Sequence, residues 1–283
     1  MSEPRAVLSV DFESFAHTPA YRSAGGTAPD AESVGPETMD RLLSALADHD
    51  AEATFFTVSE VAQRRPDLLA AAADAGHEIA SHTHTHRLLT DCTPEERREE
   101  LDRSKEVLES ITGATVEGFR APVFDFADDH FALLQEAGYS YDSSVAPCRR
   151  IPGFYGGEHD LQEPAPASAL QAGAPDSVTE LPIAVMPGLG LPLTGTWIRF
   201  FGVRYTYLGM KLLARRGITP VLYVHPWELS ALPRVEGVPE RVYVRTGAYM
   251  WRAIEFLLDS EFSFVTAREV VEDSTAASGG SAP

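Results

Sequence analysis

"AVLSVDFES", residues 6–14, decides the fold. Its first half is apolar but for Ser9, the mark of a short strand buried on both faces. Its second half places Asp11 and Glu13 two positions apart, so the two side chains share one face of the chain. A buried strand that delivers acids at its C-terminal end belongs in a parallel sheet wrapped by helices, where chemistry collects at strand ends.

The rest of the chain repeats that rhythm. Strands are read at 53–58 ("ATFFTV"), 77–82 ("HEIASH"), 116–122 ("VEGFRAP"), 139–144 and 177–183, then at 218–225 ("ITPVLYVH") and 262–267. Between them, helical spacing of apolar residues runs through 36–50, 65–76, 93–113, 127–138, 204–217 and 246–260. Residues 93–113 are the clearest helix: Thr93 is the N-cap, Pro94 the first helical residue, Glu96 the capping-box acid and Gly113 the stop. An open doubly wound sheet and a (β/α) barrel both fit this alternation. Four strands end in groups able to do chemistry: Asp11 and Glu13, His82 to His86, Arg120, and His225. Such clustering favours a deformed (β/α) barrel of seven to eight strands. No G-x-G-x-x-G follows the first strand, which weakens a dinucleotide-binding reading. Residues 1–270 are expected to form this single domain, with 147–176, rich in Pro, Gly and Ala, as an insertion or long loop. Residues 272–283 are small and polar and are expected to be a disordered tail.

Composition narrows the function. The chain has 283 residues, 44% of them hydrophobic, enough for a substantial core. Forty-two acids face 23 bases, and only Lys105 and Lys211 are lysines. This excess disfavours nucleic acid and resembles the surface of a protein adapted to high salt. Two cysteines without CxxC spacing, Cys92 and Cys148, exclude a disulfide framework and a thiolate zinc site. No apolar run is long enough for a membrane span. The N-terminus lacks the pattern of a secretory signal, so the expected location is the cytoplasm. A homo-oligomer stays open.

"SHTHTH", residues 81–86, alternates three histidines. In a strand His82 and His86 would lie roughly 13 Å apart at about 3.3 Å per residue, too far to share one ion. A strand that gives way to a helical turn near Ser81–Thr83 would bring His82 and His86 together and send His84 away. Thr83 follows His82, so this is not an H-E-x-x-H site, and an acid from elsewhere must complete it.

"SVDFES", "SHTHTH", "FRAP" and "LYVHPWE" stand in the order of the motifs of NodB-type polysaccharide deacetylases (carbohydrate esterase family 4), and "YDSS" and "ELPI" look like its exopolysaccharide-associated subgroup. The resemblance covers residues 6–267. It implies a deformed (β/α) barrel, a divalent metal, usually Zn2+, and removal of acetyl groups from an acetylated amino-sugar glycan or precursor. On this chain it implies His82, His86 and Glu13 as metal ligands, Asp11 as general base, Arg120 as its orienting partner and His225 as general acid. His17, Pro122 and Trp227 are expected to contact substrate. Asp11-x-Glu13 departs from the adjacent aspartates of many members. The family's acid that positions the catalytic histidine has no evident counterpart, since "TGTWIRF" brings Trp197 with no acid beside it. An allantoinase-like hydrolase of cyclic amides or imides is the alternative on the same barrel, and a catalytically dead sugar-binding module a third reading.

Overall fold

Side-chain alternation along the first strand sets the architecture. In the computed structural model, which describes residues 3–151, 156–157 and 159–279, β1 spans Arg5–Phe12. Ala6, Leu8, Val10 and Phe12 belong to the core beneath the helices, whereas Val7 belongs to a separate apolar cluster with Phe56, Ala80, Tyr141, Leu181 and Val221. That second cluster is the barrel interior. Val7, Ser9, Asp11 and Glu13 therefore climb one line from an apolar floor to a charged mouth.

The other strands are β2 (Thr54–Thr57), β3 (Glu78–Ser81), β4 (Gly118–Phe119), β5 (Tyr141–Asp142), β6 (Ala165–Pro166), β7 (Thr179–Glu180), β8 (Val221–Val224) and β9 (Ser263–Val265). Sheet order is β6-β7-β5-β4-β3-β2-β1-β8, with β9 on β1. Every pairing is parallel except β6 with β7. The wall is made by β1–β5, β7 and β8. That wall of seven strands falls within the seven to eight expected, and short β6 and β9 bring the sheet to nine strands among the described residues. Between β7 and β8 the wall is completed irregularly, by Ala184 N–H donating to Val221 O at 2.8 Å and a parallel bridge of Thr194 with Tyr223. This is the deformed (β/α) barrel.

The helix Pro94–Thr112 carries the expected capping box, and Gly113 ends it at φ 68°. Helices Gly195–Phe201 and Ala267–Gly279 escape the periodicity. The second corrects the expected tail: the chain stays helical from 272 to 279, and 280–283 lie outside the described residues. Ala267, Val270 and Val271 plug the barrel floor, and Glu78 and Thr54 accept the backbone N–H groups of Arg268 and Ala267. Packing holds a helix that composition alone argues against. Of the expected insertion, β6 and the turn Ala167–Ala169 are ordered onto the sheet edge, and 152–155 and 158 lie outside the described residues. Among the described residues no helix is long and apolar enough to cross a membrane.

Candidate active site

Each strand end contributes one part. Past β1, Glu13 N–H bonds back to Asp11 O at 2.9 Å, turning the chain so that both acids stay on the inner face. Gly35 makes this approach possible: at φ 113° a Cβ would sit 2.8 Å from Glu13 O. Past β3 the turn is not helical, which corrects the sequence reading. Thr83 (φ 66°) and His86 (φ 58°) take left-handed backbone, a strained choice for a β-branched residue. Thr83 Oγ1 secures the turn by donating to His82 O and accepting His86 N–H at 3.0 Å. Glu100, from the long helix, holds it from outside, accepting the N–H groups of His84 and Thr85 and the Thr85 hydroxyl. Arg22 donates to the carbonyls of Thr85 and His86.

This turn brings the His82 and His86 rings to 5.0 Å between centroids. His84 points away, with Nδ1 2.7 Å from Ser59 Oγ. Ligand atoms of Glu13, His82 and His86 lie within 4.8 Å of one another, all buried. The donor set fits a divalent metal on two further grounds. His82 Nδ1 is 2.7 Å from Arg120 O, so that nitrogen carries the proton and Nε2 offers its lone pair inward. Glu13 Oε2 lies 2.7 Å from His86 Nε2, yet it is buried with no hydrogen-bond partner. Two acceptors aimed side by side at one point suit a cation better than they suit each other. Burial holds the His82 imidazole down at about 4, neutral as a ligand must be. For Glu13, burial works upward, but the surrounding histidines, His86 foremost, outweigh it and hold the carboxyl well below the usual range.

Asp11 flanks this triad. Its Oδ1 accepts from Arg120 Nη1 at 2.6 Å, leaving Oδ2 4.0 Å from both His82 Nε2 and His225 Nε2. Arg120 is wholly buried; it also donates to Ser9 Oγ, Ser143 O and Ser143 Oγ and lies 4.0 Å over the Phe56 ring. Ser9 and Ser143, which the sequence reading passed over, thus fix its direction.

His225 follows β8 and stands 4.0 Å from Glu13 Oε1. Its positioning acid, missing from the sequence reading, is Glu228 in the same "HPWE" run. Glu228 Oε2 accepts His225 N–H at 3.0 Å and lies 3.2 Å from His225 Nδ1, while Oε1 accepts Arg199 Nε–H at 2.7 Å. Burial depresses the His225 pKa, but the hydrogen bond and charge of Glu228, with Glu13 and Asp11, raise it overall. Arg199 comes from "TGTWIRF", so that motif supplies a cation to the acid rather than the acid itself.

The three expected substrate contacts fall differently. Trp227 lines the cavity, but its Nε1–H donates to Glu13 Oε1 at 3.0 Å and its ring stacks on His225 at 5.1 Å. His17 is buried behind His86, with Nδ1 accepting Ser14 N–H and burial lowering its pKa to about 3; it does not line the cavity. Pro122 is buried too, and its neighbours Val123 and Phe124 form the wall instead. The cavity holds about 250 Å³, small for a ligand site, with Asp11, Glu13, His82, His86 and His225 at its base.

Fold and site together define a deformed (β/α) barrel with a buried Glu–His–His cluster able to hold a cation, flanked by an acid and a histidine. Residues 27–141 match the polysaccharide deacetylase family and residues 143–272 a domain of unknown function, DUF3473. Residues 27–141 thus carry a polysaccharide deacetylase domain. The matched deacetylase range contains His82, His86 and Arg120, whereas Asp11 and Glu13 precede it and His225 falls in the second range. A chitooligosaccharide deacetylase of Sinorhizobium fredii is 33% identical over 104 residues, 36% of this chain and 48% of that protein. The chain thus spans about half the length of this curated relative. A Mycobacterium smegmatis structure assigned to the polysaccharide deacetylases superposes with TM-score 0.67 at 22% identity, over 98% of this chain and 93% of that one. A PuuE allantoinase superposes at 0.63 and 18% identity, over 96% and 91%. Fold alone therefore does not choose the reaction.

Proposed function

We propose that this chain is a metal-dependent hydrolase that removes the N-acetyl group of an acetamido sugar in a glycan or glycan precursor, releasing acetate and the free amine. The observation that carries this reading is the pairing of Asp11 Oδ2 and His225 Nε2, 4.0 Å apart across the mouth and beside the Glu13, His82 and His86 ligand atoms. Zinc suits two imidazoles and one carboxylate. A cation held there would supply Lewis acidity toward the amide carbonyl and the attacking water.

The chain's own groups account for the protons. Asp11 Oδ2 takes the proton of the water as its oxygen bonds to the acyl carbon, and Arg120 on Oδ1 fixes the carboxylate's direction. His225, protonated on both nitrogens, gives its Nε2 proton to the sugar nitrogen as the C–N bond breaks. Glu228 at Nδ1 stabilises the imidazolium and orients the ring. Trp227, Tyr223 and Phe124 offer flat apolar surface to a sugar ring and keep bulk water from the base of the cavity. Acetate release measured across neutral acetamido sugars and cyclic imides tests the reading. Acetate from the sugars without ring opening of the imides supports it, and ring opening alone sinks it in favour of an allantoinase-like activity.

A further inference from the structure

Two arginines line the cavity besides the catalytic groups, Arg199 and Arg241. Arg199 is committed: it donates to Glu228, to Val242 O at 2.8 Å and to Val244 O at 3.3 Å. Arg241 is exposed and, among the described residues, makes no ion pair or hydrogen bond. Its neighbour Glu240 is bound at both oxygens by Arg234, at 2.8 and 2.7 Å.

The backbone that carries Arg241 is nevertheless fixed. The turn Glu240–Tyr243 is tied to the cavity floor through the Arg199 bonds to Val242 and Val244, and to the preceding loop by Val235 N–H donating to Tyr243 Oη at 3.0 Å. A guanidinium is thus held at the rim of the cavity with its five donors uncommitted.

The chain's charge sharpens the meaning of that arrangement. With a formal net charge of −19, the molecule repels anions at long range, and a cation with so many acids available usually finds one. A neutral acetamido sugar draws no Coulomb energy from such a group. An anionic one does, at close range where screening is weakest.

Resting on the deacetylase reading above, we propose that Arg241 is a specificity determinant that binds an anionic substituent, carboxylate or phosphate, on the acetamido-sugar substrate. The amide then reaches Asp11 and His225 while the anion stays at the rim. An exposed arginine–anion pair is weak, so the preference it confers is about fivefold or somewhat more.

The test compares wild type, Arg241→Ala and Arg241→Lys on three probes: neutral N,N′-diacetylchitobiose, N-acetylmuramic acid for the carboxylate, and N-acetylglucosamine 1-phosphate for the phosphate. KM for acetate release is measured at low and high salt, and binding of each probe by calorimetry. The expected result is a rise in the anionic-to-neutral KM ratio by about fivefold in Arg241→Ala, partial recovery in Arg241→Lys, and a smaller wild-type preference at high salt. The anionic arm that responds identifies the group. An unchanged ratio in Arg241→Ala overturns the inference while acetate release from the neutral probe leaves the deacetylase reading standing. If no probe releases acetate, that reading fails, and calorimetry still decides the role of Arg241. Tighter binding of an anionic probe, lost in Arg241→Ala, supports it, and equal binding of all three overturns it.

Discussion

Glu228→Gln removes one charge and almost no volume. Volume matters here, because a Cβ at Gly195 would lie 1.9 Å from Glu228 Oε2. The carboxylate meets donors only: Arg199 on one oxygen, the His225 backbone N–H and ring Nδ1 on the other. An amide has one oxygen, so one side must face its NH2. Arg199 has no acceptor, so the NH2 turns toward His225, where it orphans the backbone N–H and favours Nδ1 as an acceptor. Imidazolium needs a proton on both nitrogens and is now opposed. Losing a hydrogen bond to a charged group costs about 1.5–3 kcal/mol. Charged against the proton-donating step, this lowers kcat by about 10–150-fold. The sign of the pH effect follows. Glu228 raises the His225 pKa, so without its charge that pKa falls, the protonated fraction disappears at lower pH, and the alkaline limb of kcat moves toward acid. Breaking a buried pair whose partners are 0% and 3% exposed also lowers stability, by up to about 3–5 kcal/mol. The assay is kcat for acetate release against pH, with urea unfolding in parallel. A folded variant with unchanged kcat and an unmoved alkaline limb refutes the role of Glu228.

Three further substitutions separate the parts of the site. Asp11→Asn should cut acetate release by about 10²–10⁴-fold while zinc still binds, which calorimetry checks; an unchanged rate removes Asp11 as base. Trp227→Phe keeps the ring but loses the bond to Glu13 Oε1, and metal affinity measured against a competing chelator should weaken by about 10–100-fold. His84→Ala breaks only the contact with Ser59, so metal affinity should hold while stability falls by about 0.5–1.5 kcal/mol in urea; a large loss of affinity would make His84 a ligand.

What the sequence displays, and what it hides, divides along physical lines. Asp11, Glu13, His82, His86, Arg120 and His225 are legible because each follows an apolar strand, and strand ends converge in a barrel. His84 is legible as a bystander because three alternate histidines cannot all reach one ion unless the turn allows it. Glu228 is three residues from His225 and still missed, since its role depends on a short turn, Pro226–Leu229, that folds it back under the ring. Arg199 lies on a short helix without cap or clear periodicity, 29 residues before its partner. Glu100 looks like any glutamate on the polar face of its helix, and only docking against the His84–Thr85 backbone singles it out. The helix after β9 did carry a local signal. Thr266 and Glu269 form a T-x-x-E box, with Glu269 Oε2 accepting Thr266 N–H at 2.8 Å and Thr266 Oγ1 accepting Glu269 N–H at 3.2 Å. The polar residues beyond it concealed that start.

The proposed chemistry stands or falls on Glu13, His82 and His86 holding one catalytic cation. Its most direct test is acetate release from an acetamido sugar by the wild-type chain, first stripped by a chelator and then titrated with zinc, alongside His82→Ala. Activity should be lost on stripping and recover with saturation at one zinc per chain, with no recovery in His82→Ala. Full activity in the stripped wild type, or full recovery in His82→Ala, would contradict that chemistry.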